Sequence, residues 1–273
     1  MPGASFAIGN CKHVQDYEIK AEIGEGSYGS VYEAEERATR RRVALKRIKI
    51  DKKYDKEGVP QSALREIQVL RLMRHENVVR LLDVAVAEAA DSLHLVFELC
   101  EHDLANLIDK HGAVFKEREV KAIVQQVLSG VRELQRSFVM HRDLKLSNLL
   151  YTNDGLVKIC DFGLARMYGD PPKSYTPGVL TLWYRPPELI LSETRYTTAA
   201  DMWSVGCIAG ELLAGAPLAP GAHELAQLQH IFTLLGTPDK EAAAYLAGLP
   251  GAALVGSVKD TGDETLSRAF AAF

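Results

Sequence analysis

Apolar residues come in short strand-length blocks over the first hundred positions and then change to helical spacing. Tyr17 to Ile23, Val31 to Ala34, Val43 to Ile48, Val78 to Val84 and Leu93 to Glu98 predict five strands. Short connections between the first three predict antiparallel pairing. After Pro60 the pattern changes once: Leu64, Ile67 and Leu70 recur at helical spacing, with Ser62 as the expected N-cap. This half is therefore expected to be a five-stranded antiparallel sheet with one helix.

Glu98 to Asp103 reads as a connector, and the rest is mainly helical. Val120, Ile123, Val124, Val127, Leu128, Val131 and Leu134 follow i, i+3, i+4, i+7 spacing. Asp201 is placed to cap a helix through Met202, Val205, Ile208 and Leu212 that is apolar nearly all round, so burial on every side is expected. Leu225 to Leu235 predicts a third helix, stopped by Gly236 and Pro238. The alanine- and glycine-rich tail from Glu241 to Phe273 predicts loop and partial helix. The expected organisation is α+β: an extension over 1–16, a small lobe over 17–97, a hinge over 98–103 and a helical lobe over 104–273.

Between the helical segments lies His141 to Gly163, HRDLKLSNLLYTNDGLVKICDFG. Leu149 to Thr152 and Leu156 to Cys160 are short apolar runs separated by Asn153-Asp154-Gly155, a sequence that accepts positive φ and closes antiparallel hairpins. Pairing them would bring Asn148 and Asp161 to the hairpin's open end as oxygen donors for a hard cation. Asp143, five residues before Asn148, is a candidate base in the same cleft.

Composition narrows the classes. In 273 residues, 47% hydrophobic content suits a packed core. Cys11, Cys100, Cys160 and Cys207 form no CxxC pair, which argues against a disulfide framework or zinc cluster. The N-terminus lacks a basic region followed by an apolar core, and no apolar run reaches membrane-spanning length, so an intracellular protein without membrane attachment is expected. A net charge of −4 offers nucleic acid no general attraction; Arg40-Arg41-Arg42 is read as a solvated strand face.

Gly24-Glu25-Gly26-Ser27-Tyr28-Gly29 sits between two predicted strands. A GxGxxG that receives a dinucleotide opens a helix, but here Val31 begins a strand, which disfavours a nucleotide-binding oxidoreductase. A lid over phosphates fits better, with Lys46 on the next strand to pair with them. Glu66, polar within the inward-leaning part of its helix, needs a partner, and Lys46 is the candidate.

Taken in order, GEGSYGSV, VALK, LREI, HRDLKLSN, DFG, WYRPPE and DMWSVG resemble the signature set of a eukaryotic protein kinase, over about Tyr17 to Leu235. VPQSALREI and YTPGVLTLWYRPPEL resemble the cyclin-dependent kinases, and CKHVQDYE with SALRE looks most like the cyclin-dependent kinase ten and eleven branch, the PISSLRE and PITSLRE types. The resemblance implies a two-lobed kinase fold. It implies ATP covered by Gly24 to Gly29 and Val31, with Lys46 on the phosphates and Glu66 holding it. Ala44 and Leu150 would sandwich the adenine, Phe97 would lie behind it, Glu98 and Cys100 would offer it backbone groups, and Asp103 would reach the ribose. Asp143 would accept or orient the substrate hydroxyl proton, Lys145 would neutralise the γ-phosphate, and Asn148 and Asp161 would hold Mg²⁺.

The same resemblance implies regulation. Thr176 matches an activating phosphothreonine, supplied by an upstream kinase, and Arg65, Arg142 and Arg166 match the arginines that clamp it. Ser27 and Tyr28 occupy lid positions where phosphate inhibits. Val179, Leu180 and Arg185 match a pocket favouring proline after the phosphoacceptor. A cyclin partner and Ser/Thr-Pro protein substrates are expected, and nuclear or cytoplasmic residence, the nucleus favoured by the resemblance alone. Pro186 in WYRPPE replaces a usual alanine, and Glu76 a common proline. Further helices would follow Leu235, one bearing an arginine for Glu188; none follows Arg268, so the helical lobe is expected to be incomplete. A weakened cyclin-binding scaffold is the alternative that this raises.

Overall fold

The computed structural model describes residues 12–26, 29–49, 59–87, 92–110, 112, 114–169, 174–176, 178–259 and 265–271. The chain divides into two units, 1–101 with 161–163, and 102–160 with 164–273. The division falls after Glu101, and Asp161–Gly163 go with the first unit.

The first unit is a six-stranded sheet. Its strands are β1 (Lys12–His13), β2 (Tyr17–Gly26), β3 (Gly29–Glu36), β4 (Arg42–Lys49), β5 (Leu81–Val86) and β6 (Ser92–Glu98), in the order β1-β5-β6-β4-β3-β2. The five expected strands pair antiparallel. The sixth, β1, adds parallel to β5 with Lys12 opposite Ala85, and its two residues are too few to show a period in sequence. The fourth expected strand starts at Leu81 rather than Val78. One face buries Tyr17, Ala34, Val43, Leu45, Ala85 and Val96 as a continuous cluster. Alternation puts Ala44 and Lys46 on the opposite face of β4 from Val43 and Leu45.

Helix α1 (Gln61–Leu72) buries Ala63, Glu66, Val69 and Leu70. The predicted stripe therefore shifts by one position, and Leu64 is 46% exposed. The cap also differs: Pro60 precedes the helix and its carbonyl accepts from the Ala63 and Leu64 N–H groups, while Ser62 lies inside. Proline suits a position that needs no N–H of its own.

In the second unit, α2 (Leu104–Asp109) and α3 (Glu117–Arg136) follow β7 (His102–Asp103). α3 turns Val120, Ile123, Val127, Val131 and Leu134 inward, as its spacing requires, but leaves Leu128, expected in the same stripe, 38% exposed. Strand β8 (Val139–Met140) pairs antiparallel with β11 (Arg166–Met167), and β9 (Leu149–Tyr151) lies between β10 (Val157–Ile159) and β7. Beyond them come α4 (Pro187–Ile190), α5 (Ala199–Ala214), α6 (Glu224–Leu235), α7 (Lys240–Ala247) and α8 (Leu266–Ala269). α5 buries Ala200, Asp201, Ser204, Val205, Ile208 and Leu212. It is not enclosed all round, since Met202 is 41% exposed. α6 stops at Gly236, whose φ of 83° suits glycine. Ile190, Leu191, Leu228, Ile231, Phe232 and Leu246 join α4, α6 and α7 in one core, so the tail read as partial helix contributes to it.

Among the described residues no helix is long and apolar enough to cross a membrane. Among the described residues Cys100, Cys160 and Cys207 form no disulfide, and burial pushes Cys207 up to about 12.

Candidate active site

The hairpin forms as its turn sequence predicts. Leu149 stands opposite Ile159 and Tyr151 opposite Val157, and Gly155 takes φ 82° in the turn. At the open end the Cys160 N–H donates to the Asn148 carbonyl at 3.0 Å. Asn148 Nδ2 donates to the Asp143 carbonyl at 2.8 Å and to Asp143 Oδ2 at 3.2 Å. Its nitrogen is thereby committed, which leaves the amide oxygen as the atom that could ligate a cation.

The loop bearing Asp143 is held from α5. The Asp201 carboxylate accepts from the His141 N–H and the Arg142 N–H, both at 2.8 Å. Asp201 is thus a support for this loop in place of the helix cap its position suggested. Burial raises its carboxyl above the ordinary aspartate range, and these N–H groups oppose that rise. The His141 Nε2 lies 2.9 Å from the Cys160 carbonyl, and its Nδ1 accepts from the Asp143 N–H at 3.3 Å. Both contacts fit one tautomer, with the proton on Nε2. Arg142 takes φ 69°, a strained conformation for a side-chain-bearing residue that the surrounding bonds hold.

Asp143 faces a residue that sequence reading passed over, Thr181. Its N–H and hydroxyl both donate to Asp143 Oδ1, at 3.1 and 3.0 Å. Lys145 Nζ lies 3.0 Å from Asp143 Oδ2 and donates to Thr181 Oγ1 at 3.1 Å. Lys145, Thr181 and Asp143 therefore form a closed set in which the threonine hydroxyl accepts from the cation and donates to the carboxylate. The motif TLWYRPPE contains Thr181, but nothing local in it names a partner 38 residues earlier.

The first unit holds the other charged group. Lys46 Nζ donates to both Glu66 oxygens, at 2.9 and 3.1 Å, and to Asp161 Oδ1 at 2.9 Å. Burial alone would depress this ammonium; the Glu66 and Asp161 carboxylates more than offset that and hold it above the ordinary lysine value. Asp161 has φ 62°, a second strained residue at a predicted site position.

The remaining predicted positions fall as follows. Gly24 pairs with Val31 across β2 and β3, and a side chain at Gly29 would meet the Arg47 carbonyl at 2.5 Å, so only glycine fits there. Ser27 and Tyr28 lie outside the described residues. Gly26 pairs with Gly29 in the hairpin of which Glu25 is also part. Phe97 is buried between Ala44 and Leu81. The Glu98 N–H donates to the Arg80 carbonyl and its carboxylate accepts the Arg80 N–H, while Cys100 is half-buried. Asp103, expected at a ribose, caps α2 by accepting from the Asn106 N–H at 2.8 Å, and it also binds that residue's side-chain amide. Leu150 stands between Lys158 and Asp103 in the sheet.

Arg142 is buried, and among the described residues no carboxylate pairs with its guanidinium. Nε donates to the Leu164 carbonyl at 2.9 Å and Nη1 to the Tyr196 hydroxyl at 2.6 Å. Arg166 Nη1 approaches the same carbonyl at 3.4 Å. The Tyr196 hydroxyl in turn donates to the Thr176 carbonyl at 3.0 Å, and the Thr176 side chain is exposed. Arg65, the third predicted arginine, is on α1 in the first unit. Val179 is half-buried and Leu180 buried, with φ 69°; the Leu180 carbonyl accepts from Arg185 Nη2 at 2.9 Å.

The first unit thus holds a lysine paired with a helix glutamate, and the second an aspartate bound by a lysine, a threonine and an asparagine, groups of the kind that phosphoryl-transfer enzymes use. The chain belongs to the protein kinase family, whose model, described as Protein kinase domain, matches residues 17–246. Its similarities give the branch. It is 50% identical to Cyclin-dependent kinase 10 of Rattus norvegicus over 245 residues, 90% of this chain and 68% of that protein. It is 50% identical to Cyclin-dependent kinase 10 of Homo sapiens over 243 residues, 89% of this chain and 67% of that protein. Similarity to Cyclin-dependent kinase 11B of Rattus norvegicus is 45% over 244 residues, 89% of this chain and 56% of that protein. The activity is that of a serine/threonine protein kinase of the cyclin-dependent type.

Proposed function

We propose that this kinase transfers the ATP γ-phosphate to serine or threonine followed by proline, in complex with a cyclin and under the control of phosphate on Thr176. The observation that carries the substrate reading is Leu180. Its left-handed backbone turns the carbonyl onto Arg185, so that oxygen is already bonded. A residue after the phosphoacceptor that docks here brings an N–H with no acceptor, which costs ~1–3 kcal/mol when buried. Proline has no N–H and incurs no such cost.

The residues suit the nucleotide and its metal. Asp161 and Asn148 offer hard oxygen ligands. Among the described residues no group of three or more His, Cys, Asp or Glu side chains could hold a metal, so phosphate oxygens and water would complete the shell. Bound there, Mg²⁺ would neutralise charge on the phosphates. Lys46, kept charged by Glu66, would pair with the phosphates, and Lys145 would face the transferred group. Asp143, fixed by Thr181 and Asn148, would orient the attacking hydroxyl and take its proton. The intact Lys46–Glu66 pair favours an enzyme over a cyclin-binding scaffold.

Support for the switch is the buried Arg142 guanidinium, whose described partners are two neutral oxygens and the Tyr175 and Tyr196 rings, the Tyr196 hydroxyl being bonded in turn to the Thr176 carbonyl. A phosphate of about −1.5 to −2 charge would supply the anion this group lacks. Cyclin dependence rests on the named relatives and on the exposed face of α1 that carries Leu64. The test is a peptide pair differing only in proline or alanine after the threonine, assayed with a cyclin and with Thr176 phosphorylated or replaced by alanine. Equal use of both peptides would overturn the substrate reading, and undiminished activity of Thr176→Ala the switch.

A further inference from the structure

On the first unit, away from Lys46 and Glu66, a cleft of about 360 Å³ opens between the C-terminal end of α1 and the strands β2, β4 and β5. Val43, Leu70, Leu81 and Val96 line its apolar floor. Arg41, Arg71, Arg74 and Arg80 stand around it. Its two acids, Glu36 and Asp83, are both taken by Lys12: the ammonium pairs directly with Glu36 and lies 3.5 Å from Asp83. Glu36 also accepts from the Thr39 hydroxyl. Among the described residues no carboxylate lies within ion-pair distance of the four guanidinium groups, although the charge of Arg41 helps Lys12 hold Glu36 ionised. The lining carries five cations against two carboxylates, in a chain whose net charge is −4.

The basic run Arg40-Arg41-Arg42 accounts for part of this. Arg40 pairs with Glu35 at 2.7 Å and Arg42 with Glu33 at 2.8 Å, as a solvated strand face would. Arg41 does neither. All three are solvent-exposed, as the sequence reading expects, and Arg41 also lines the cleft.

We propose that this cleft binds a phosphate monoester carried on a polypeptide segment. The guanidinium fork presents paired N–H donors that match the oxygens of a phosphate, and four such forks at one site exceed what a single carboxylate can accept. The apolar floor would receive side chains flanking the phosphorylated residue. A long polyanion is disfavoured, since the field of a chain with net charge −4 repels it outside the cleft.

The test is fluorescence polarisation on the full chain with a short labelled peptide carrying one phosphoserine, its unphosphorylated twin, and a labelled single-stranded oligonucleotide of similar length. Inorganic phosphate serves as competitor, separating recognition of phosphate alone from recognition of the segment. The expected result is binding of the phosphopeptide only. Arg71→Ala combined with Arg74→Ala should weaken it at least ~tenfold, two charge-assisted contacts being lost. Arg41→Ala, on a different element, should weaken it as well, which guards against a folding defect on α1; thermal unfolding of each variant checks this directly. Inorganic phosphate should compete only weakly. Equal binding of the unphosphorylated twin, tighter binding of the oligonucleotide, or undiminished affinity in folded arginine variants would each overturn the proposal.

Discussion

Replacing Arg185 by leucine isolates the proposed basis of substrate choice. In the wild type the Leu180 carbonyl is bonded to Arg185 Nη2 at 2.9 Å, and the same guanidinium lies 3.4 Å from Glu224 through Nη1. A substrate with alanine after the threonine buries an N–H without an acceptor, at ~1–3 kcal/mol, or about 5- to 150-fold in kcat/KM relative to proline. Leucine removes the donor and releases the carbonyl, which can then accept that N–H. The proline-to-alanine ratio should fall to within about fivefold, chiefly through a gain on the alanine peptide. The assay is initial-rate phosphorylation of the two peptides by each enzyme with cyclin present. Absolute rates will also fall, since left-handed Leu180 costs of order 1–3 kcal/mol to hold and loses a restraint, but the ratio cancels that loss. An unchanged ratio in a folded Arg185→Leu enzyme would rule out the occupied Leu180 carbonyl as the source of proline preference.

Other perturbations test the supports of the site. Asp201→Asn keeps one oxygen where two N–H groups are bound, so His141 or Arg142 loses its acceptor; ~1–3 kcal/mol lower stability in denaturant unfolding and slower turnover are expected. Lys46→Met takes the cation from Glu66, which is 1% exposed, and should cost ~3–5 kcal/mol; adding Glu66→Leu should recover stability but no transfer activity. Glu188 has its carboxyl raised by burial, with Glu193 adding to it and its own N–H opposing, and no cation among the described residues pairs with it. Its folded value exceeds the unfolded one, so the group carries no penalty below pH about 4.5 and an increasing one as pH rises through that interval. Glu188→Gln should therefore raise the unfolding midpoint at neutral pH, with the gain vanishing in acid; a gain that persists at low pH would contradict this.

The elements legible in sequence are those whose partners are near in the chain or whose period is long. The hairpin around Gly155 and helix α3 are of this kind: a turn residue fixes one, and twenty residues of repeat fix the other. Lys46 and Glu66 were joined by an energetic argument, that a buried carboxylate needs a cation. Thr181, Tyr196 and Asp201 were missed as site residues because their roles are set by contacts 38, 54 and 60 residues away. A threonine hydroxyl and a tyrosine hydroxyl carry no spacing signature, and Asp201 has a local reading as a helix cap that is plausible and mistaken. The stripe of α1 slipped one position for a related reason. Leu64, Ile67 and Leu70 fit a helical period, but the inward face is fixed by Glu66 reaching Lys46, so Leu64 is left outside.

The central claim is that Asp143, set by Thr181, Lys145 and Asn148, performs phosphoryl transfer to a hydroxyl. It is tested most directly by measuring γ-phosphate transfer to a threonine-proline peptide by the cyclin-bound chain and by its Asp143→Asn variant, with ATP binding followed in parallel. Transfer by the wild type, loss of at least ~10²-fold in the variant, and retained nucleotide binding are expected. Equal turnover by the two proteins would contradict the claim.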